Sequence, residues 1–181
     1  MPSSTYPIVA FPDPILARPM NRVTEFGKPL ERIVQRMIPT MRDAVGIGLA
    51  ANQVGLPLSL AVIEYEPKRT EAQDERVPVH AIVNPVILTY GSELDQVEEG
   101  CLSCLGIEVP VQRSTSITVR YQSVDGAVHE TEITGFAARI YQHEIDHLNG
   151  FTILDRAHGK RALVEAYRAN PARFAPNVDN N

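Results

Sequence analysis

The 181-residue sequence lacks three features, and each absence excludes a class of protein. It contains only two cysteines, which is too few for the disulfide framework of a small secreted protein. Its longest apolar runs, such as residues 56–63, are far shorter than the roughly 20 residues of a membrane span. The 17 basic residues are scattered along a chain of net charge −5, so no nucleic-acid surface is indicated. We therefore expect neither direct nucleic-acid binding nor membrane insertion.

The N-terminal residues 1–6 also lack the basic and apolar regions of a secretory signal. A reducing cytoplasm suits such a chain, and it suits a free thiolate. With 44% hydrophobic residues, the chain is expected to form a single domain over residues 1–181. Its predicted core spans about 7–169, and the segment 170–181, rich in Pro and Asn, is expected to be a frayed tail.

The most informative segment is 142–147, which carries an H-E-x-x-H pattern. On a helix, His143 and His147 lie one turn apart on one face, with the Glu144 carboxylate beside them. A divalent metal needs this arrangement from two ligands and an acid–base group. A histidine pair also arises by chance on helices, so the surrounding residues must distinguish a metal site from a chance pair.

If residues 135–151 form a helix, both histidines lie within its apolar stripe at roughly 100° per residue. Burying an unpartnered imidazole costs on the order of a few kcal/mol, so two buried imidazoles one turn apart favour metal coordination over core packing. The stripe consists of Phe136, Ile140, His143, His147 and Phe151.

A catalytic site with two histidines usually takes a third protein ligand and leaves one position open for water. Downstream, His158 is available, but the position of the third metzincin histidine is held by Ile153. Glu165, the other downstream candidate, falls in a predicted surface helix. Upstream, Cys101 is the better candidate.

The spacing of Cys101 and Cys104 admits four interpretations. A redox C-x-x-C pair normally opens a helix, which residues 104–107 do not resemble. A closed Cys2His2 zinc site is chemically feasible, but the roughly 40-residue gap to His143 is far from finger spacing of about 12–15. A disulfide is not expected between cysteines this close in a chain without secretory signs. In the fourth interpretation Cys101 is a thiolate ligand and Cys104 a small hydrophobe.

The sequence predicts an α+β fold, with mostly antiparallel sheets packed around a central metal-binding helix and with a C-terminal helix. An amphipathic pattern predicts a helix that Pro39 kinks or divides, and Asp125–Gly126 marks a hairpin. An exposed loop is expected over 66–78. The predicted helices are 26–45, 135–151 and 159–169, and the predicted strands are 59–65, 79–90 with an interruption at 84–85, 116–121 and 128–133.

Three segments taken together resemble the signature motifs of the peptide deformylase family. They are 46–53, 99–103 and 142–147, and their order and spacing both match; residues 12–14 are similar to that family as well. The resemblance covers roughly residues 7–165. The chain departs from the family after Ser103, where Cys104 and Leu105 replace the usual aliphatic residue and proline. That departure affects the shape of the groove beside Cys101.

The resemblance implies a metal-dependent hydrolase that removes the formyl group from the N-terminal formyl-methionine of newly synthesised polypeptides. It implies one divalent ion per chain, Fe²⁺ in the cell, although the ligand set also suits Zn²⁺, Ni²⁺ and Co²⁺. Glu144 would move protons, while the Gln53 amide and the Leu102 backbone N–H would stabilise the oxyanion. The implied metal ligands are Cys101, His143 and His147.

Candidate substrate contacts lie in these motifs and on the apolar stripe that carries the two histidines. Ile47, Phe136 and Ile140 are candidates for the methionine pocket. The backbones of Ile47 and Gly100 are candidates for pairing with an extended peptide. Gly48 allows the loop to approach the reacting centre. Two charges leave alternatives open: Arg113 is either a substrate contact or a solvated charge, and Asp146 either orients an imidazole or lies on the polar face.

Nascent formyl-methionyl peptides are the expected partners. A transient ribosome contact is expected by analogy, through basic residues near the C-terminus. Two alternatives remain: a related metallo-amidohydrolase with another acyl substrate, and a non-catalytic Cys2His2 zinc protein. The candidate ribosome-contact residues are Lys160, Arg161, Arg168 and Arg173.

Overall fold

The computed structural model describes residues 5–67 and 75–158. Its helices are α1 (Lys28–Asp43), α2 (Gly135–Leu148) and the single turn α3 (Ile153–Arg156), with 3-10 turns at Pro14–Ala17 and Ala51–Val54. Its strands are β1 (Gly48–Ala50), β2 (Leu60–Tyr65), β3 (Val77–Tyr90), β4 (Leu94–Gly100), β5 (Glu108–Ser114), β6 (Ser116–Gln122) and β7 (Val128–Thr134). The predicted α+β class is confirmed.

A five-stranded antiparallel sheet of order β1-β2-β3-β6-β7 lies between α1 and α2. Strand β2 shows how both faces of this sheet are covered, because successive side chains of a strand point to opposite faces. Leu60 and Val62 pack in the core that α1 covers, whereas Ala61 and Ile63 pack in the core that α2 covers. A second sheet, the β4–β5 hairpin, lies across α2 from the first and packs on α3. Helix α2 is therefore central, as predicted.

Helix α2 ends three residues before the predicted boundary. Gly150 adopts φ +83°, and the Phe151 N–H turns back to the Asp146 carbonyl at 2.9 Å. Because the left-handed residue ends the helix, Phe151 leaves the apolar stripe and is 42% exposed. A Cβ on Gly150 would lie 2.7 Å from Arg18 backbone atoms, so glycine is required there.

Proline had less effect on the elements than the sequence suggested. Helix α1 continues through Pro39 and is not divided there. Strand β3 also continues through Asn84–Pro85, but its pairing with β6 shifts register between Val83 and Val86. The shift follows from Asn84, which has φ +50° and whose side chain bonds both the N–H and the carbonyl of Val23.

The remaining elements differ from prediction in two places. The β4–β5 hairpin was not predicted. Of the expected loop at 66–78, residues 68–74 lie outside the described residues, and β3 begins within its last part, at Val77. The predicted helix 159–169 lies outside the described residues, as does the tail 170–181. Over 5–67 and 75–158, no helix combines the length and the apolar character that crossing a membrane requires.

Candidate metal centre

Three parts of the fold meet beside α2. Helix α2 presents His143 and His147 one turn apart, the turn after β4 presents Cys101, and the 3-10 turn after β1 presents Gln53. The helix lies between the sheet that carries β1 and the hairpin that carries β4. The central position of α2 therefore brings distant sequence segments to one point.

The candidate ligand atoms of Cys101, His143 and His147 all lie within 4.8 Å of one another. Cys101 Sγ is 3.2 Å from His147 Nε2. His143 Nδ1 is 3.1 Å from a carboxylate oxygen of Glu99, which leaves its Nε2 for a metal. One thiolate and two imidazoles are the protein donors of a catalytic site with an open fourth position, so the residues present fit a divalent ion.

Glu144 lies beside this cluster without a polar partner of its own. It is 3% exposed, and its Oε2 is buried with no hydrogen-bond partner. Burial raises the pKa of its carboxyl group above the usual value. A Cβ built on Gly48 would lie 2.2 Å from Glu144 Oε1. The β1 backbone therefore approaches the carboxylate as closely as only a glycine permits.

Gln53 is not a surface amide. It is 1% exposed, and its Oε1 accepts a hydrogen bond from the Ala50 N–H at 2.9 Å. Its Nε2 lies 3.2 Å from Ser103 Oγ and 3.6 Å from Cys101 Sγ. These contacts hold the amide next to the candidate thiolate ligand. Leu102, which follows that ligand, packs against the core beneath α1.

A buried network of charges supports His143, and the sequence did not reveal it. Arg113, 6% exposed, donates two hydrogen bonds to Glu99, at 2.6 and 2.9 Å, and one to Asp146 at 2.8 Å. Arg139 also donates to Glu99 at 2.5 Å. Burial alone would raise the pKa of Glu99, but hydrogen bonds to His143 and Arg113 outweigh it and lower that pKa to about 2. Glu99 is therefore a fixed anion that orients the imidazole.

This network corrects two interpretations of the sequence. Arg113 is neither a solvated charge nor a cavity-lining residue, because it is buried against two carboxylates. Asp146 accepts from Arg113 and Arg156 and is buried, so it lies on no solvated face. A usable signal was present: Glu99 belongs to the segment 99–103 that carries Cys101, two residues before it in the sequence.

A cavity of about 1020 Å³ opens at the cluster. All five predicted substrate-contact residues line it: Ile47, Gly48, Gly100, Phe136 and Ile140. Gln53, Leu102, Cys101, His143 and Glu144 line it too, as does Leu105 from the departure beside Cys101. The lining also includes residues that the sequence did not indicate as substrate contacts, among them Val45, Pro110 and His158. Of the rejected ligand candidates, His158 lies outside the ligand group, and Glu165 lies outside the described residues.

Cys104 lies behind the cluster rather than in it. It is 2% exposed and packs with Ile107, Val109 and Ile153, and the group of ligand atoms within mutual reach does not include it. This placement favours an open three-ligand site over a closed Cys2His2 site.

We expect Cys104→Val to bind one metal ion per chain, as the wild type does. Valine suits the apolar surroundings and removes no ligand of the three-residue site. The matched variant Cys101→Val removes the thiolate and should lose the ion. Metal analysis of the purified, dialysed proteins checks both, and loss of the ion from Cys104→Val would restore the closed-site alternative.

The comparisons with known proteins agree with the motifs. A sequence model of the family described as polypeptide deformylase matches residues 5–162. The chain belongs to the polypeptide deformylase family. The peptide deformylase of Thermotoga neapolitana is 41% identical to it over 159 residues, which are 88% of this chain and 91% of that protein.

Solved deformylase structures have the same fold. That of Thermotoga maritima has a TM-score of 0.76 at 41% identity and covers 86% of this chain and 99% of its own. The structure of the enzyme from Synechococcus elongatus, solved in complex with actinonin, has a TM-score of 0.84 at 34% identity. The match covers 94% of this chain and 90% of that one. The predicted family and fold are thus confirmed.

Proposed function

We propose that this deformylase-family chain removes the formyl group from the N-terminal formyl-methionine of new polypeptides by metal-assisted hydrolysis. The observation that carries the proposal is the cluster of Cys101, His143 and His147 beside a cavity that Glu144 lines, with the Glu144 Oε2 buried and without a hydrogen-bond partner. A closed structural site would have no use for such a carboxylate. The proposed setting is the cytoplasm, where new polypeptides are made.

Cys101, His143 and His147 would hold one divalent ion. When bound, that ion supplies Lewis acidity, lowering the pKa of water toward about 7 and polarising a carbonyl. We propose Fe²⁺ in the cell, while the same donors accept Zn²⁺, Ni²⁺ and Co²⁺. Glu99, fixed by Arg113 and Arg139, lies against His143 Nδ1 and would keep the opposite ring nitrogen, Nε2, available to such an ion.

Glu144 is the proposed proton carrier. Its carboxylate takes the proton of the attacking water and then gives it to the leaving amine. Both roles need a group that holds a proton between the two steps. The buried position raises the Glu144 pKa, which serves that need, and the free Oε2 has no competing partner.

Gln53 and Leu102 are the proposed donors to the oxyanion that forms on the formyl carbon. The Gln53 side chain is held from both ends, since Oε1 accepts from Ala50 N–H and Nε2 lies by Ser103 and Cys101. The donor is thus already in place before reaction, and a preorganised donor of this kind contributes about 10²–10³ in rate.

The proposed peptide substrate would bind along a free edge of the five-stranded sheet. Strand β1 ends the five-stranded sheet, so the backbone groups at Ile47 and Gly48 that β2 does not use are available to an extended chain. The Ile47 carbonyl is in use, since it accepts from the Glu64 N–H at 3.0 Å. Gly100, exposed at the end of β4, lies across the cavity. The methionine side chain would then enter the apolar part of the cavity, against Phe136 and Ile140.

Gly48→Ala tests the close approach of β1 to Glu144. We expect formate release to fall by about 10²-fold, because a displacement of roughly 1 Å at a reacting group costs that much and the new Cβ would meet Glu144 Oε1 at 2.2 Å. The measurement is kcat/KM with equal metal content. A wild-type rate would show that Glu144 moves without consequence and is not the proton carrier.

The function is tested by formate release from a formyl-Met peptide, beside acetate release from the matched acetyl-Met peptide. The proposal predicts hydrolysis of the formyl substrate with strong preference over the acetyl one. Preference for the acetyl peptide would instead indicate a related amidohydrolase. A firmly bound zinc ion without hydrolysis of either would indicate a non-catalytic zinc protein.

We also propose a transient contact with the ribosome, where formylated chains emerge. It rests on family analogy and on basic residues at the C-terminal end of the chain, which lie outside the described residues. The basic residues in question are Lys160, Arg161, Arg168 and Arg173.

A further inference from the structure

The turn after β4 brings the only two cysteines of the chain together. The Cys104 backbone N–H donates to the Cys101 carbonyl at 3.0 Å, which closes a four-residue turn. The two Cα atoms of such a turn lie less than about 7 Å apart, close to the upper end of the range that a disulfide spans. Cys101 also packs against the apolar cluster that contains Cys104.

The two thiols differ in access. Cys101 is partly exposed and lines the cavity, whereas Cys104 is 2% exposed and lies behind it in an apolar cluster. A small oxidant in the cavity therefore reaches Cys101 first. Cys104 is then the nearest thiol to the product, on the side away from solvent.

We propose that Cys101 and Cys104 form a peroxide-reactive pair in which Cys104 resolves the oxidised metal ligand. The Cys101 thiol attacks a hydroperoxide, the O–O bond breaks, and a sulfenic acid and an alcohol or water result. The Cys104 thiol then attacks that sulfur, releases water and forms the disulfide. The peroxide is reduced by two electrons and the two thiols are oxidised by two.

The consequence is reversible loss of the metal in place of permanent damage. A sulfur bound in a disulfide no longer supplies a thiolate, so the ion is released. Without a resolving thiol, the sulfenic acid proceeds to sulfinic and sulfonic acids, which thiol reductants do not restore. The sequence predicted no disulfide between these two cysteines, and none joins them in this structure. The proposed bond forms only after Cys101 is oxidised. The inference goes beyond the proposed function and borrows from it only the role of Cys101 as ligand.

The test treats the metal-free full-length protein with a molar excess of hydrogen peroxide, because oxidation beyond the reducible sulfenic acid consumes further equivalents. Intact mass, peptide mapping and thiol titration then follow Cys101 and Cys104. The wild type should lose both titratable thiols and the mass of two hydrogens, as a monomer. Dithiothreitol should restore both thiols and the binding of one cobalt ion, read from its thiolate absorption band. None of these readouts requires formate release, so they remain informative if the proposed function fails.

Cys104→Val and Cys104→Ser are the matched variants, one apolar and one polar, in case either folds poorly. Both should gain oxygen atoms at Cys101 and should not regain cobalt binding after reductant. The proposal is overturned if the wild type also accumulates sulfinic or sulfonic acid at Cys101. It is equally overturned if both wild-type thiols survive the treatment, or if the bond forms between chains.

Discussion

Glu144→Gln is expected to bind one metal ion per chain and to release formate at least about 10²-fold more slowly than the wild type, with about 10⁴-fold as the upper range for a lost general base. The amide has nearly the shape of the carboxylate but cannot take a proton from water. Because Glu144 Oε2 has no hydrogen-bond partner, the substitution breaks no contact there. The loss should therefore appear in kcat, while metal content and melting temperature stay unchanged.

The matched control is Glu108→Gln. Glu108 lies on the wall of the same cavity but is exposed, so its substitution removes a charge without touching the ligand cluster. Formate release by this variant should stay close to that of the wild type. If the two glutamine variants lost similar amounts of activity, the effect would be one of charge in the cavity, and Glu144 would lose its assignment as proton carrier.

The sequence predicted the ligand-bearing helix because the information was local. His143 and His147 are four residues apart, and their place in an apolar stripe follows from helical periodicity alone. The segments at 46–53 and 99–103 contributed through their joint resemblance to a family. Helix α2 ends early for a reason that is also local, since Gly150 takes a left-handed conformation, but a glycine by itself does not say whether it ends a helix.

What could not be predicted depends on contacts between distant segments. Glu99 and Arg113 belong to facing strands of an unpredicted hairpin, and Arg139 comes from α2, 40 residues along the chain from Glu99. The β4–β5 hairpin itself was missed because its outer strand carries a charged, exposed pattern, with Val97 39% exposed. The sequence pattern placed these charged side chains in solvent. They are buried because the β4–β5 hairpin packs on α2.

Arg113→Met tests this network and is expected to destabilise the protein by about 3–5 kcal/mol, the range for removing one partner of a buried ion pair. The Arg113 and Glu99 side chains are 5% and 7% exposed, so the carboxylate that remains cannot be solvated. Arg139 still contacts Glu99 and Arg156 still contacts Asp146, which favours the lower end of the range. Denaturant unfolding at fixed metal load measures the difference.

Arg120→Met supplies the matched control, since it removes the same kind of side chain from an ion pair at the surface. Arg120 and Glu130 pair at 2.9 Å with side chains 55% and 51% exposed, and such pairs contribute about 0–1 kcal/mol. A second readout separates support of the site from support of the fold: Arg113→Met should also bind cobalt more weakly, by about 10–100-fold, because Glu99 no longer holds His143 in place. Equal free energies of unfolding for the two variants, with unchanged cobalt affinity, would show that the buried charges neither stabilise the hairpin on α2 nor orient the ligand.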